Sequence, residues 1–219
     1  LQYVLGRWAF RRLDLLVDRR VLIPRPETEW VVDVALQSLP GDRPATVVDL
    51  GAGSGAIALA IADERWPNVR VIATDADGDA LAVTRANLAG LGRKAAAVEL
   101  RPGEWYDALE PQLRGEVDLA VSNPPYVAAD DALPAEVADW EPRHALVAGP
   151  TGLEALAAII AGAPGWLAPG GALVCEIGDT QGDAVRTLAR DAGFVDIDVL
   201  PDLAGRDRVL VATTRRPPG

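Results

Sequence analysis

From residue 45 onward, short runs rich in Val, Ile, Leu and Ala alternate with longer stretches of helical spacing, and this alternation limits the fold more than any other feature. Strand-like runs cover 45–50, 69–74, 96–100, 117–122, 172–177, 195–200 and 209–213, and helix-like runs cover 55–65, 79–91, 152–163 and 181–192. Strand and helix in alternation make βαβ units, so an α/β fold around a mostly parallel sheet is expected. The last two strands are joined only by 201–208, too short for a helical crossover, so the last strand of a seven-stranded sheet should run antiparallel.

Ahead of this region, Trp30, Val31, Val34, Ala35 and Leu39 fall near helical spacing and stop at Pro40-Gly41, which predicts a helix over 27–39. Short apolar runs over 3–22, broken by Gly6 and by the basic pairs Arg11-Arg12 and Arg19-Arg20, predict a small β-hairpin. The expected organisation is thus a hairpin over 1–24 followed by one domain over 25–219.

Composition closes several routes. With 49% hydrophobic and 24% charged residues the chain is globular, which excludes disorder or a coiled coil as its main theme. One cysteine, Cys175, and one histidine, His144, leave neither an internal disulfide nor a zinc site. A net charge of -11 argues against a broad basic face for nucleic acid. Apolar stretches such as 56–62 and 155–168 are too short, or too broken by Gly162, Pro164 and Gly165, to span a bilayer. No leader pattern opens the sequence, so a cytoplasmic protein is expected; beginning at Leu1 with no Met, it reads as a fragment.

Two segments carry chemistry. The first strand runs into Asp49-Leu50-Gly51-Ala52-Gly53-Ser54-Gly55 and then a helix. Glycines there let the backbone turn sharply and approach a ligand, and the helix N-terminus offers free N–H groups. Asp75, twenty residues past Gly55, ends the second strand, where a carboxylate can accept from both hydroxyls of a ribose. This pair suits NAD as well as S-adenosylmethionine. The second segment, Asn123-Pro124-Pro125-Tyr126, ends the fourth strand. Two prolines stiffen the backbone and remove N–H donors, so the Asn123 side-chain oxygen and the Pro124 carbonyl can accept from an NH2 group while Tyr126 packs on its flat face.

With these residues in view, the chain resembles the HemK-like release-factor glutamine methyltransferases. The resemblance rests on the Leu22-Ile23-Pro24-Arg25-Pro26-Glu27-Thr28-Glu29 run, the loop from Asp49 to Leu59 and the Asn-Pro-Pro-Tyr box. Glu141-Pro142, Ala145-Leu146, Asp202 and Gly205 to Arg208 extend it, in the family's order, over nearly the whole chain. It implies a Rossmann-like class I S-adenosylmethionine methyltransferase that methylates the glutamine amide in the Gly-Gly-Gln loop of peptide chain release factors. By the same resemblance Asp49, Gly51, Gly53, Gly55, Asp75 and Asn123 meet the cofactor, with Glu104 and Trp105 near its adenine, and Asn123, Pro124, Pro125 and Tyr126 hold the glutamine. The family's helical N-terminal domain would lie ahead of Leu1, so the chain is read as the catalytic domain without it. Trp105 reads equally as a core residue, His144 as a surface or packing residue, and 130–141 as a solvated loop or a flap over the cleft. An enzyme acting on an exocyclic amine of adenine or guanine, and a silent cofactor-binding protein, are the competing readings.

Overall fold

The computed structural model describes residues 2–216. The chain opens with α1 (Gln2–Leu5), β1 (Arg7–Phe10), β2 (Leu13–Leu16) and α2 (Pro26–Ser38). The first βαβ units follow as β3 (Ala45–Leu50), α3 (Ala56–Arg65), β4 (Val69–Asp75), α4 (Gly78–Leu88), β5 (Val98–Pro102) and β6 (Val117–Ser122). Next come β7 (Val127–Ala128), α5 (Ala135–Ala138), β8 (Val147–Gly149) and α6 (Glu154–Gly162). The chain closes with β9 (Leu167–Glu176), α7 (Gly182–Asp191), β10 (Asp196–Pro201) and β11 (Asp207–Thr213).

The main sheet has seven strands in the order β10-β11-β9-β6-β3-β4-β5. The pairings among β9, β6, β3, β4 and β5 are parallel, whereas β11 runs antiparallel to both β9 and β10, as the short final connection requires. Successive strand residues enter opposite cores, because side chains in a strand alternate between faces. Val47, Val71 and Leu119 pack with α2 and α3, and Val48, Ile72 and Ala120 pack with α6 and α7. Burial on both faces explains why these strands read as unbroken apolar runs.

The expected hairpin is shorter than 3–22. Gln2 to Leu5 form a single helical turn that Gly6 closes at φ +69, its N–H donating to the Gln2 carbonyl, and strands begin only at Arg7. Arg11 at the hairpin tip, itself at φ +51, places its guanidinium on both oxygens of Glu64 in α3, and its N–H donates to Glu29 in α2. Those bonds fix the hairpin on the α2/α3 side. Two further boundaries differ most from expectation. The helix expected to reach residue 91 stops at Leu88 and continues as tighter 3-10 turns to Ala97, with Gly92 in a conformation no helix uses (φ 56, ψ -127). The strand expected from residue 172 begins at Leu167, and its register against β6 shifts between Val117 and Leu119, beside Gly170 at φ +78.

Strand order reverses at β3, with β4 on one side and β6 on the other, and ligands of open α/β sheets bind outside the carboxyl ends of the strands at such a point. The segments after β3, β4 and β6 all open there.

Candidate active site

A cleft of about 770 Å³ lies at this edge, within the range of small-molecule sites. Its walls include Gly51, Gly53, Asp75, Glu104, Trp105, Asn123, Pro124 and Pro125, so one space gathers most of the residues singled out in the sequence.

The turn after β3 is held from below and from the side. The N–H groups of Gly51 and Ala52 both donate to the Thr74 carbonyl at 2.9 Å, and the Gly53 N–H donates to Asp75 Oδ2 at 2.8 Å. Thr84 Oγ1 donates to the Gly53 carbonyl at 2.7 Å, and Asn87 Nδ2 to the Ser54 carbonyl at 2.9 Å. Asn87 also bonds the backbone of Leu16 in both directions, tying the hairpin to the turn. The glycines divide their work. A Cβ on Gly53 would meet nothing within 4 Å, which leaves that position open to a ligand, whereas one on Gly51 would stand 3.2 Å from the Trp105 ring. Gly55 lines no part of the cleft; at φ +85, a Cβ there would come within 2.7 Å of Thr84, so it serves the packing of α3 on α4.

Asp49 departs from the expectation of a cofactor contact. It is 1% exposed and does not line the cleft; its Oδ2 instead accepts from the Ala58 N–H at 3.0 Å, capping the first turn of α3 from within the sheet. Its Oδ1 has no hydrogen-bond partner among the described residues. Burial pushes the carboxyl up to about 7, with the nearby Asp75 charge adding to the effect. Because the folded-state value lies above that of the unfolded chain, the neutral acid favours the fold below about pH 4, and this contribution is lost as pH rises through about 7. Asp49→Asn, neutral throughout, is expected to reduce the fall in stability between pH 5 and 7 by something of order 1 kcal/mol per pH unit. Urea unfolding at several pH values reads this directly, and parallel curves for the two proteins would refute it.

Asp75 stands at the end of β4 with Oδ1 accepting from the Asp77 N–H at 2.9 Å, so each carboxylate oxygen holds one N–H and keeps further acceptor capacity. Burial raises its pKa, and its two N–H bonds work against that shift. Trp105 opens a 3-10 turn at φ +46, an uncommon conformation for a non-glycine residue, and its ring forms part of the cleft wall beside Glu104. His144 sits in the loop after the box, exposed, with Nε2 3.3 Å from Asp77 Oδ2 across the cleft. The 130–141 stretch is mostly exposed and carries the short α5. It is tied to the segment before α2 by the Arg25–Glu141 ion pair at 2.6 Å and by Arg19 stacked 4.3 Å over Trp140.

Asn123 follows β6 and donates from Nδ2 to Thr28 Oγ1 at 3.0 Å, while its Oδ1 accepts no hydrogen bond among the described residues. Thr28 in turn donates to Glu176 Oε2 at 2.6 Å. Tyr126 stands behind the box instead of in the cleft: its ring packs on the α6/α7 core and its hydroxyl donates to Glu176 Oε1 at 3.2 Å. Gln181 braces the box from below, donating to the carbonyls of Tyr126 and Gly152 at 3.0 Å each. Thr28, Glu176, Thr84, Asn87 and Gln181 were not picked out from the sequence. Thr28 stood inside the quoted Ile-Pro-Arg-Pro-Glu-Thr-Glu run, and Thr84 with Asn87 gave a polar pair three residues apart on one helix face.

The sheet order, the glycine turn with its acid after the second strand, and the Asn-Pro-Pro-Tyr box after the fourth fit the fold of a class I S-adenosylmethionine-dependent methyltransferase. Residues 32–139 match the methyltransferase small domain family. A release factor glutamine methyltransferase of Xylella fastidiosa is 48% identical over 210 residues, covering 95% of this chain and 74% of its own length. That of Moorella thermoacetica is 48% identical over 219 residues, covering 98% and 75%. The crystal structure of a release-factor-specific protein-(glutamine-N5) methyltransferase from Alicyclobacillus acidocaldarius is 29% identical, with a TM-score of 0.53 over 89% of this chain and 95% of that one. The chain belongs to the release factor glutamine methyltransferase family.

Proposed function

We propose that the chain transfers the methyl group of S-adenosylmethionine to the side-chain amide nitrogen of the Gly-Gly-Gln glutamine in a peptide chain release factor. The observation that carries this reading is Asn123, whose Oδ1 is free of internal partners in a cleft that also holds the glycine turn and Asp75. The names of the relatives support the same substrate.

The residues present fit the cofactor. Gly53 leaves room for close backbone approach, Asp75 retains lone pairs for ribose hydroxyls, and Trp105 supplies a flat wall for adenine, with Glu104 beside it. When bound, S-adenosylmethionine supplies an electrophilic methyl on a sulfonium. An amide nitrogen is a poor nucleophile, because its lone pair is delocalised into the carbonyl, so the protein must contribute position and field. Asn123 Oδ1 and the Pro124 carbonyl would accept the two amide N–H groups and hold the nitrogen toward the cofactor's methyl, which would lower the barrier through proximity. S-adenosylhomocysteine would be the leaving group and one amide proton would pass to solvent, while the positive charge developing on nitrogen would be stabilised by the same two acceptors, by about 3 to 4 kcal/mol on the scale of comparable preorganised contacts.

Residues 25–219 are taken as the catalytic unit, with 1–24 as its appendage. No described helix is long and apolar enough to cross a membrane. A release factor as partner fits the cytoplasm, and the net charge of -11 fits a protein substrate better than bare nucleic acid. Mass spectrometry of release factor after incubation with the protein and S-adenosylmethionine should find one added methyl on the Gly-Gly-Gln peptide. Methylation of RNA or DNA with release factor left unmodified would overturn the reading.

A further inference from the structure

We infer that Thr28 and Glu176 form a hydrogen-bond polarity lock that obliges Asn123 to present its carbonyl oxygen, and not its NH2, to the substrate. A carboxamide is nearly symmetric in shape, so the space around Asn123 cannot by itself decide which end faces the cleft. Partners decide it. Thr28 has one hydroxyl proton and gives it to Glu176 Oε2 over 2.6 Å, a short bond. Its oxygen is then left as an acceptor, and the group that meets it is the Asn123 NH2 at 3.0 Å. Turning the amide over would set oxygen against oxygen and strand a lone pair at a residue only 3% exposed.

The lock depends on Glu176 acting only as an acceptor. It is 1% exposed at the end of β9, and its second oxygen takes the Tyr126 hydroxyl. Burial raises its pKa and the charge of Glu27 adds to that, while the Thr28 and Tyr126 hydroxyls and the positive charge of Arg208 from β11 favour the carboxylate. Tyr126 thus serves the box through Glu176. The consequence for specificity is that the cleft takes groups offering N–H donors and rejects those offering an acceptor at the same point, since a buried acceptor left unpaired discriminates strongly.

This inference rests on the amide-methylation reading, and the test separates the two. Thr28→Val keeps the shape and removes the hydroxyl, Thr28→Ser keeps the hydroxyl, and Glu176→Gln introduces a donor where only an acceptor stood. On a release factor substrate, Thr28→Val and Glu176→Gln should each lower kcat about ten- to a hundred-fold, with S-adenosylmethionine affinity within about twofold of wild type. Thr28→Ser should stay within about threefold of wild type, and the Thr28→Val/Glu176→Gln double variant should fall no more than about twofold below the poorer single one, because both break one chain. Additive losses, or a Ser variant as poor as the Val variant, would overturn the lock and leave the substrate reading intact. Wild-type protein inactive on release factor would overturn both. If Thr28→Val does not fold, Thr28→Ser against Glu176→Gln decides, equal activities refuting the lock.

Discussion

Asn123→Ala is expected to lower the single-turnover rate on release factor about a hundred-fold or more while leaving S-adenosylmethionine affinity within about twofold. The split follows from where the side chain stands. Among the described residues Asn123 makes no side-chain hydrogen bond to the turn after β3 or to Asp75, its one side-chain bond going to Thr28, so cofactor binding has little to lose. Its free oxygen, by contrast, gains most when the attacking nitrogen becomes positive, and an interaction stronger in the transition state than in the ground state appears in kcat. Quench-flow measurement with saturating cofactor, beside calorimetry of cofactor binding, reads both numbers. A variant that turns over at the wild-type rate would place the amide elsewhere.

The parts of the fold written most plainly in the sequence are those where burial is complete. β3 and β6 begin and end at the expected residues because every position but Thr46 is buried, leaving apolar runs bounded by turns. Legibility fails where elements are too short to show a period. β7 and β8 have two and three residues, and α5 has four, so no repeat can announce them. The site was legible as motifs and less so as roles. Asp49 and Gly55 belong to the glycine motif as spelled, yet one caps α3 and the other admits Thr84, and both duties are set by neighbours distant in sequence. Glu176 was absorbed into an apolar strand. A buried carboxylate there makes sense only once α2 is known to bring Thr28 against it, a contact spanning 148 residues that no local pattern encodes.

Asp75→Ala is expected to weaken S-adenosylmethionine binding about ten- to a hundred-fold, corresponding to about 1.5 to 3 kcal/mol for hydrogen bonds to a charged acceptor. Two effects contribute and must be told apart. The carboxylate accepts from the Gly53 and Asp77 N–H groups, so its loss also loosens the turn that receives the cofactor. Loosening acts on every ligand of the turn, whereas a ribose contact acts only on ligands that carry the hydroxyls. Comparing S-adenosylhomocysteine with its 2′,3′-dideoxy analogue on both proteins therefore isolates the direct term. Wild type should bind the dideoxy analogue about ten-fold or more weakly, and the variant should scarcely distinguish the two. Acid should act in the same direction as the mutation: burial raises the Asp75 pKa, so affinity declines at a higher pH than an exposed aspartate would give as the acceptor takes up a proton. A variant that still discriminates between the analogues as wild type does would assign the ribose to another residue and leave Asp75 with the shaping of the turn alone.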